Sequence, residues 1–173
     1  NNVTDPQPSV AAFAMFGLGV MASPGTPIGP MRNALTQGSP SSAMIENGSF
    51  ALARIAEASR TDPDKNLEAI FLTLIERPEP NIRAQAAACL GLIHAQASEP
   101  ALANLLAGDP ESTVRVSAAY ALGELGNPTA IGVLVRALTD PSKLTAGTAR
   151  ASLAKIYGED LGPSAKDWQA VFP

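Results

Sequence analysis

Cysteine and histidine are almost absent from this 173-residue chain, which has one of each, Cys89 and His94. A lone cysteine excludes a framework of internal disulfide bonds, and a lone histidine excludes a metal centre built on several histidines. A Ser-His-Asp triad would need a nucleophile elbow, and the sequence has none. We therefore expect no metal, no bound cofactor and no catalysis.

Positive charge is also scarce. The 12 Lys and Arg residues are scattered among 16 Asp and Glu residues, which gives a net charge of −4 and an isoelectric point near 4.9. Nucleic-acid binding needs a clustered cationic surface, so this composition argues against it. No apolar run reaches the about 18 residues that a membrane-spanning helix needs, and the sequence predicts no membrane span.

Two short motifs imitate functional sites but lack the context of such sites. Residues 17–22 match the glycine-rich dinucleotide fingerprint, yet no strand precedes them, and Gly19 is predicted to be a repeat equivalent of Gly126. Residues 62–66 resemble the start of a calcium-binding loop, but Leu67 stands where that loop needs glycine. Cys89 is predicted to be a small core residue.

The chain does contain an internal repeat of alanine-rich helices, each opened by a proline. Aromatic residues make up 5% of the chain and apolar residues 46%, which is typical of a soluble chain that packs through Ala and Leu along helices. The repeats open near Pro6, Pro40, Pro78, Pro110 and Pro141, and the equivalents of Leu122 are Met15, Leu52, Leu90 and Leu153. Periods of about 31 to 38 residues indicate a helical repeat array, here a single domain over residues 1–173.

Aligned repeats place similar residues in columns. Gly48, Ala86, Ala118 and Ala149 form a column of small residues, which allows neighbouring helices to approach closely. Shorter partner helices are predicted at residues 31–37, 67–76, 100–107 and 129–138.

The turns before the last two repeat helices carry an Asp-Pro pair, Asp109-Pro110 and Asp140-Pro141. The aspartate is expected to cap a nearby N–H group, and the proline to lie in the first helical turn. Arg83 and Arg115 share a column near helix N-termini, where the helix dipole disfavours a cation. We expect Asp109 and Asp140 to compensate them in a structural ladder between repeats; the alternative is that these arginines bind a ligand.

The segment Val114–Ile131, with its Val-Arg-x-x-Ala-Ala-x-Ala-Leu-Gly-x-Leu-Gly core, resembles a HEAT-like repeat of the bacterial type named after phycobilisome lyases. Residues 77–140 match this pattern closely, and the other repeats match with losses. The resemblance implies an all-α fold, a right-handed α-α superhelix of about five repeats. It specifies function poorly, because such arrays serve as scaffolds, lyase subunits or regulatory modules.

The predicted binding surface is the face of the proline-opened helices opposite the buried stripe, which in HEAT-like arrays tends to line the concave side. At about 100° per residue, an aromatic column on this face starts at Phe13 and continues through Phe50 and Tyr120. Aromatic anchors among polar groups of both charges suit a peptide or protein partner. The alternative is that both aromatics pack against adjacent repeats. The predicted partner-binding residues are Asn47, Phe50, Arg54, Gln85, Ser117, Tyr120, Glu124 and Lys155.

The two ends of the array differ. Residues 10–22 form a helix that is apolar all round, whereas the terminus of a solenoid needs a polar outer face. We expect either another segment or subunit to cover it, or the chain to be a piece of a longer protein. Residues 163–173 are predicted to form an amphipathic C-terminal cap, with Ala165, Trp168 and Phe172 on one side.

These observations favour a non-catalytic protein-interaction module or scaffold. One alternative is a lyase-like or enzyme-associated subunit that holds a cofactor-bearing protein, although the exposed face carries no ligand cysteine. Another is a structural segment of a larger chain.

Overall fold

A computed structural model describes residues 14, 16, 17, 19–21, 28–36, 41–59 and 67–172. All regular elements within these residues are helices, and no strand occurs among them. They are α1 (Gly29–Thr36), α2 (Ser42–Ser59), α3 (Leu67–Leu74), α4 (Pro80–Leu92), α5 (Glu99–Gly108), α6 (Ser112–Leu125), α7 (Ile131–Ala137), α8 (Lys143–Tyr157) and α9 (Ala165–Val171). Residues 14, 16, 17, 19 and 20 are helical as well. The predictions that rest on Pro6, Phe13, Met15 and Pro40 lie outside the described residues.

The helices form two layers. The long helices α2, α4, α6 and α8 each pack on the next, and each of the short helices α1, α3, α5 and α7 packs on the long helix that follows it. The short helices confirm the predicted partner segments to within a few residues. The chain is therefore an all-α, HEAT-like superhelix.

The repeat proline lies just outside the long helices α4, α6 and α8. Helix α6 begins at Ser112, two residues after Pro110, and α8 begins at Lys143, two residues after Pro141. The expectation that proline lies in the first helical turn is therefore wrong at these two helices. Instead, Oδ1 of Asp109 accepts a hydrogen bond from the Glu111 N–H at 2.9 Å, which closes a short turn around the proline before the helix starts.

Small residues hold the long helices close together. A Cβ atom added to Gly91 would lie 2.7 Å from Cα of Ala121, and one added to Gly123 would lie 2.7 Å from Cβ of Ser152. Both distances are shorter than real Cβ contacts, so glycine is required where α4 meets α6 and where α6 meets α8. Beneath this contact the leucine column at residues 52, 90, 122 and 153 is fully buried.

The first repeat has a different register from the predicted one. A Cβ added to Gly19 would lie 2.8 Å from Cα of Ala51, the same approach that Gly91 makes to Ala121. Gly19 therefore occupies the position of Gly123, and its predicted equivalence with Gly126 is wrong. Gly126 ends α6 in the left-handed conformation, with φ of 72°, whereas Gly19 lies within a helix.

A ladder of ion pairs joins successive repeats, as predicted. Arg83 donates from Nε and Nη2 to the two carboxylate oxygens of Asp109, at 2.8 and 3.0 Å. Arg115 makes the same pair of bonds to Asp140, also at 2.8 and 3.0 Å. Each arginine also donates from Nη1 to two backbone carbonyls in the turn before its own helix. These carbonyls and the carboxylate offset the unfavourable helix dipole at the arginine.

Polar side chains form a second ladder at the opposite ends of the long helices. Glu68, at the start of α3, accepts a hydrogen bond from the Ser98 hydroxyl at 2.6 Å. Glu99, the equivalent residue of α5, accepts from Asn127 and Thr129, each at 2.6 Å. Both ends of the central repeats are thus tied, which makes the layer of long helices a rigid support.

The C-terminal helix α9 packs on α7. Trp168 is fully buried and donates from Nε1 to the carbonyl of Gly162 at 2.8 Å. Ala165 and Phe172 also pack on the core, and the Tyr157 ring meets the rings of Trp168 and Phe172 edge to face.

Candidate partner-binding face

The long helices expose one face to solvent, opposite their buried leucine column. We call it the long-helix face, and its central columns contain the residues at 16, 50, 88, 120 and 151 and at 47, 85, 117 and 148. These residues are partly or fully exposed. Each predicted partner-binding residue lies on this face, because the repeat alignment of α2, α4, α6 and α8 places them in equivalent positions. The structure divides seven of them into two groups, and Arg54 lies outside both.

The first group lines a cleft at the N-terminal part of the face. Asn47 and Phe50 from α2 and Gln85 from α4 line it, and the cleft has a volume of about 360 Å³. Phe16 closes one side, with its ring stacked on that of Phe50 at a centroid distance of 6.4 Å and an angle of 22°. The Phe16 side chain is 48% exposed, and Phe50 is half-buried. The cleft thus has an aromatic wall that remains open to solvent.

Phe16 takes the place that was predicted for Phe13. With Gly19 in the position of Gly123, Phe16 becomes the equivalent of Tyr120, and it begins the aromatic column. Phe50 does pack against an adjacent repeat, as the alternative for this residue predicts, through its stack on Phe16. Because the Phe16 side chain is exposed, the stacked pair of rings remains open to solvent.

The polar wall of the cleft consists of amides and one carboxylate. Nδ2 of Asn81 donates a hydrogen bond to Oε1 of Glu46, which joins α4 to α2. Gln85 donates from Nε2 to Sγ of Cys89 at 3.7 Å, and the Cys89 thiol donates to the carbonyl of Ser49 at 3.4 Å. Burial raises the pKa of Cys89 to about 12, so the thiol stays protonated at neutral pH and serves as this donor. Cys89 is fully buried, which confirms its prediction as a core residue.

The second group lies further along the face, on α6 and α8. Tyr120 is 40% exposed, and Ser117 lies one turn before it on the same helix. Lys155 of α8 forms an ion pair with Glu124, with 2.7 Å between Nζ and Oε2. Arg54, on α2, is exposed and does not line the cleft. This part of the face therefore presents an aromatic side chain beside an ion pair whose two charges neutralise each other.

Sequence reasoning missed Phe16, Glu46 and Asn81. The signal for two of them was present, because Asn81 and Glu46 are the repeat equivalents of Thr113 and Val116, which at about 100° per residue point away from Leu122 on α6. The alignment of the first repeat hid Phe16.

A larger cleft, of about 580 Å³, lies beside the ion pair of Arg83 and Asp109. Of the charged groups that line it, Arg83 is paired with Asp109 and Arg77 with Glu79 at 3.1 Å, while Glu76 is exposed. Such self-paired charges offer little to a ligand. The smaller cleft on the long-helix face is therefore the better candidate.

The described residues contain neither a metal-binding cluster nor a membrane-spanning helix. They contain no group of three or more His, Cys, Asp or Glu side chains that could hold a metal ion. None of the helices they form is both long enough and apolar enough to cross a membrane.

Several solved structures share this fold. The complex of CpcE and CpcF of phycocyanin lyase from Nostoc sp. PCC7120 matches with a TM-score of 0.75 and 19% identity, over 91% of this chain and 63% of that one. Human deoxyhypusine hydroxylase in complex with glycerol matches with a TM-score of 0.63 and 20% identity, over 91% and 60%. An engineered protein matches with a TM-score of 0.68 and 20% identity, over 99% and 85%.

The chain therefore spans less than two thirds of the first two of these proteins, and at these identities the likeness concerns the fold alone. No curated protein sequence matches the chain. The model of the family described as HEAT repeats matches residues 67–154, just over half of the chain, which agrees with the two-layer packing and the columns described above. The chain belongs to the HEAT-repeat family.

Proposed function

We propose that this protein is a non-catalytic interaction module that binds a peptide or protein segment along its long-helix face. The observation that carries the proposal is the aromatic column on that face, in which Phe16, Phe50 and Tyr120 stand in equivalent positions of the first, second and fourth repeats. Exposed aromatic side chains on a rigid support are the usual anchors of protein interfaces, because they bury a large area at a low cost in side-chain entropy.

The surroundings of the aromatics support the same proposal. Amide, hydroxyl and charged groups of both signs alternate with them across the face, as in the polar rim of an interface. The column at Asn47, Gln85, Ser117 and Thr148 supplies hydrogen-bonding groups in each of four successive long helices. An elongated partner segment fits such a repeated pattern better than a compact small molecule does.

Site-specific photo-crosslinking in the source cells tests the proposal. A benzophenone amino acid at Tyr120 should crosslink to a partner protein, whereas the same group at the exposed Arg136, on the short helix α7, should not. The double substitution Tyr120→Ala and Phe50→Ala should weaken capture of that partner. Equal crosslinking from both positions would contradict a binding role for this face.

A lyase-like or enzyme-associated role, in which the array holds a cofactor-bearing protein, is the alternative. Its support is the fold shared with the CpcE and CpcF complex. It predicts that the crosslinked partner carries a covalent chromophore, which absorption of the captured complex in the visible range would reveal. A structural segment of a larger chain is a third alternative, and it predicts no separate partner protein.

The apolar N-terminal segment has its own proposed contact. Of residues 10–22, the structure describes 14, 16, 17 and 19–21, and among these Phe16, Val20 and Met21 are exposed. We propose that another segment or subunit covers Val20 and Met21, which are 66% and 69% exposed.

A further inference from the structure

We propose that the cleft between α2 and α4 receives an arginine side chain of the partner. This inference rests on the proposed function, since it names the chemistry that the long-helix face recognises. It follows from the two kinds of group that line the cleft: the stacked rings of Phe16 and Phe50, and the carboxylate of Glu46. An aromatic face and a carboxylate in one small cleft form a site for a cation.

Charge decides what the cleft selects. Among the described residues that line it, Glu46 is the one ionisable side chain, and the others are two phenylalanines and three amides. Arg54 is the nearest cationic residue along α2, but it lies eight residues further on, about 12 Å along the helix axis. That separation exceeds the screening length of about 8 Å at physiological ionic strength, so Arg54 does not cancel the charge of Glu46.

Geometry favours arginine over lysine. A guanidinium group is planar and stacks on an aromatic ring while its edge N–H groups donate to a carboxylate, and it is more weakly hydrated than an ammonium group. Asn81 already donates to Oε1 of Glu46, which leaves Oε2 as the acceptor for the ligand among the described residues. Gln85 uses its Nε2 as a donor to Cys89, so its Oε1 supplies a second acceptor in the wall of the cleft.

The size of the cleft fits one long side chain. Its volume of about 360 Å³ is near the lower end of the range of small-ligand pockets, which is about 300–1,000 Å³. Of the two rings that line it, Phe50 is half-buried and Phe16 is exposed. An arginine side chain can pack its methylene groups on these rings with its charged head beside Glu46.

The test uses short peptides and the full chain. The peptide acetyl-Gly-Arg-Gly-amide should shift the backbone amide NMR signals of Glu46, Phe50 and Gln85 at millimolar concentration. The citrulline peptide, which has the same shape without the charge, should bind at least about 5-fold more weakly, and the norleucine peptide should give no saturable shift. A lysine peptide should bind with intermediate affinity.

Glu46→Gln isolates the charge, because glutamine still accepts the hydrogen bond from Asn81. This variant should bind the arginine peptide about 5-fold to 10-fold more weakly and lose the preference over citrulline. Glu159→Gln, which removes an exposed carboxylate far along the chain, is the matched control and should change nothing. Phe16→Leu should weaken binding about 2-fold to 5-fold.

Absence of saturable shifts with the arginine peptide at 20 mM, or equal affinity for arginine and citrulline peptides, would overturn the inference. Shifts confined to residues outside the cleft would do so as well. Crosslinking of a partner through Tyr120 would survive those outcomes, so a failure of the arginine site and a failure of the binding face are distinguishable.

Discussion

Two arginine–aspartate ion pairs of the array differ in their exposure to solvent. Arg115 and Asp140 join α6 to the turn before α8, with side chains only 14% and 9% exposed, whereas Arg150 and Asp160 join α8 to the turn before α9 at 41% and 45% exposure. Both aspartates also accept a backbone N–H two residues further on. The chain therefore repeats the motif after α8, where, within the described residues, the short helix α9 follows in place of another long helix.

The position of the arginine explains the difference. Arg83 and Arg115 share one column, and the equivalent residue of α8 is Ala146. Arg150 stands one helical turn later and reaches Asp160 across the surface. An ion pair that solvent surrounds contributes little to stability, whereas removal of one partner of a shielded pair leaves a charge without compensation. An arginine–aspartate ion pair therefore links two repeats strongly only where both repeats enclose it.

The largest expected effect on stability concerns the buried core of α6, the helix that carries Arg115. Leu122→Ala should lower the free energy of unfolding by about 2 to 5 kcal/mol, because it leaves a cavity in α6 where the side chain is fully buried. Glu124→Ala, two residues further on the same helix, should cost less than about 1 kcal/mol, since its partner Lys155 is largely exposed. Urea denaturation followed by circular dichroism measures both. Equal losses would contradict the repeat register.

Neutralising Asp140 and Asp160 compares the two ion pairs directly. Asp140→Asn should cost about 1 to 3 kcal/mol, because Arg115 loses a charged acceptor while asparagine still accepts from the Ser142 N–H. Asp160→Asn should leave the melting temperature unchanged within error, since both partners of that pair are open to solvent. A melting temperature that falls equally in the two variants would mean that enclosure by repeats does not strengthen the pair.

The pH dependence sharpens the same comparison. The hydrogen bond from Arg115 lowers the pKa of Asp140; in Asp109 burial alone would raise the pKa, but the bond from Arg83 brings it below its usual value. A carboxyl group whose folded pKa is lowered adds its full stability at pH values above its unfolded pKa, which is about 3.9. This stability is lost as the pH falls through the folded pKa.

The cost of Asp140→Asn should therefore be complete at pH 7, shrink as pH falls below about 4, and vanish below the folded pKa of Asp140. Paired unfolding curves of the wild type and the variant at several pH values measure this. A cost that stays constant down to pH 2 would show that the charge of Asp140 is not what stabilises the link between the repeats.

The effect on stability is expected to be small at Tyr120 of the long-helix face. Tyr120→Ala should cost less than about 0.5 kcal/mol, because the residue is exposed, yet it should weaken partner binding. Phe50→Ala should cost more. Loss of the stack on Phe16 should add about 0.5 to 1.5 kcal/mol to the free energy lost with the buried apolar area of Phe50. Thermal unfolding measures both. A large stability loss from Tyr120→Ala with binding intact would remove this residue from the proposed site.

The sequence by itself determined the repeat, its helices and the central ion pairs. Leu90, Leu122 and Leu153 could be assigned to the core because a helix that buries one side shows it as a period in the sequence. The pairs of Arg83 and Arg115 could be assigned because a cation at a helix N-terminus needs a carboxylate nearby, and each aspartate recurs at the same place in the turn. These features depend on local spacing, which one chain displays in full.

Only the tertiary structure decided the first repeat and the cleft. A helix that is apolar all round has no preferred side in its sequence, so a shift of three residues leaves its pattern almost unchanged, and only the approach of Gly19 to Ala51 fixes the register. That shift brings Phe16 onto Phe50, while the packing of α4 beside α2 brings Asn81 to Glu46. Contacts between repeats depend on distances across the fold, and periodicity along one helix carries no record of them.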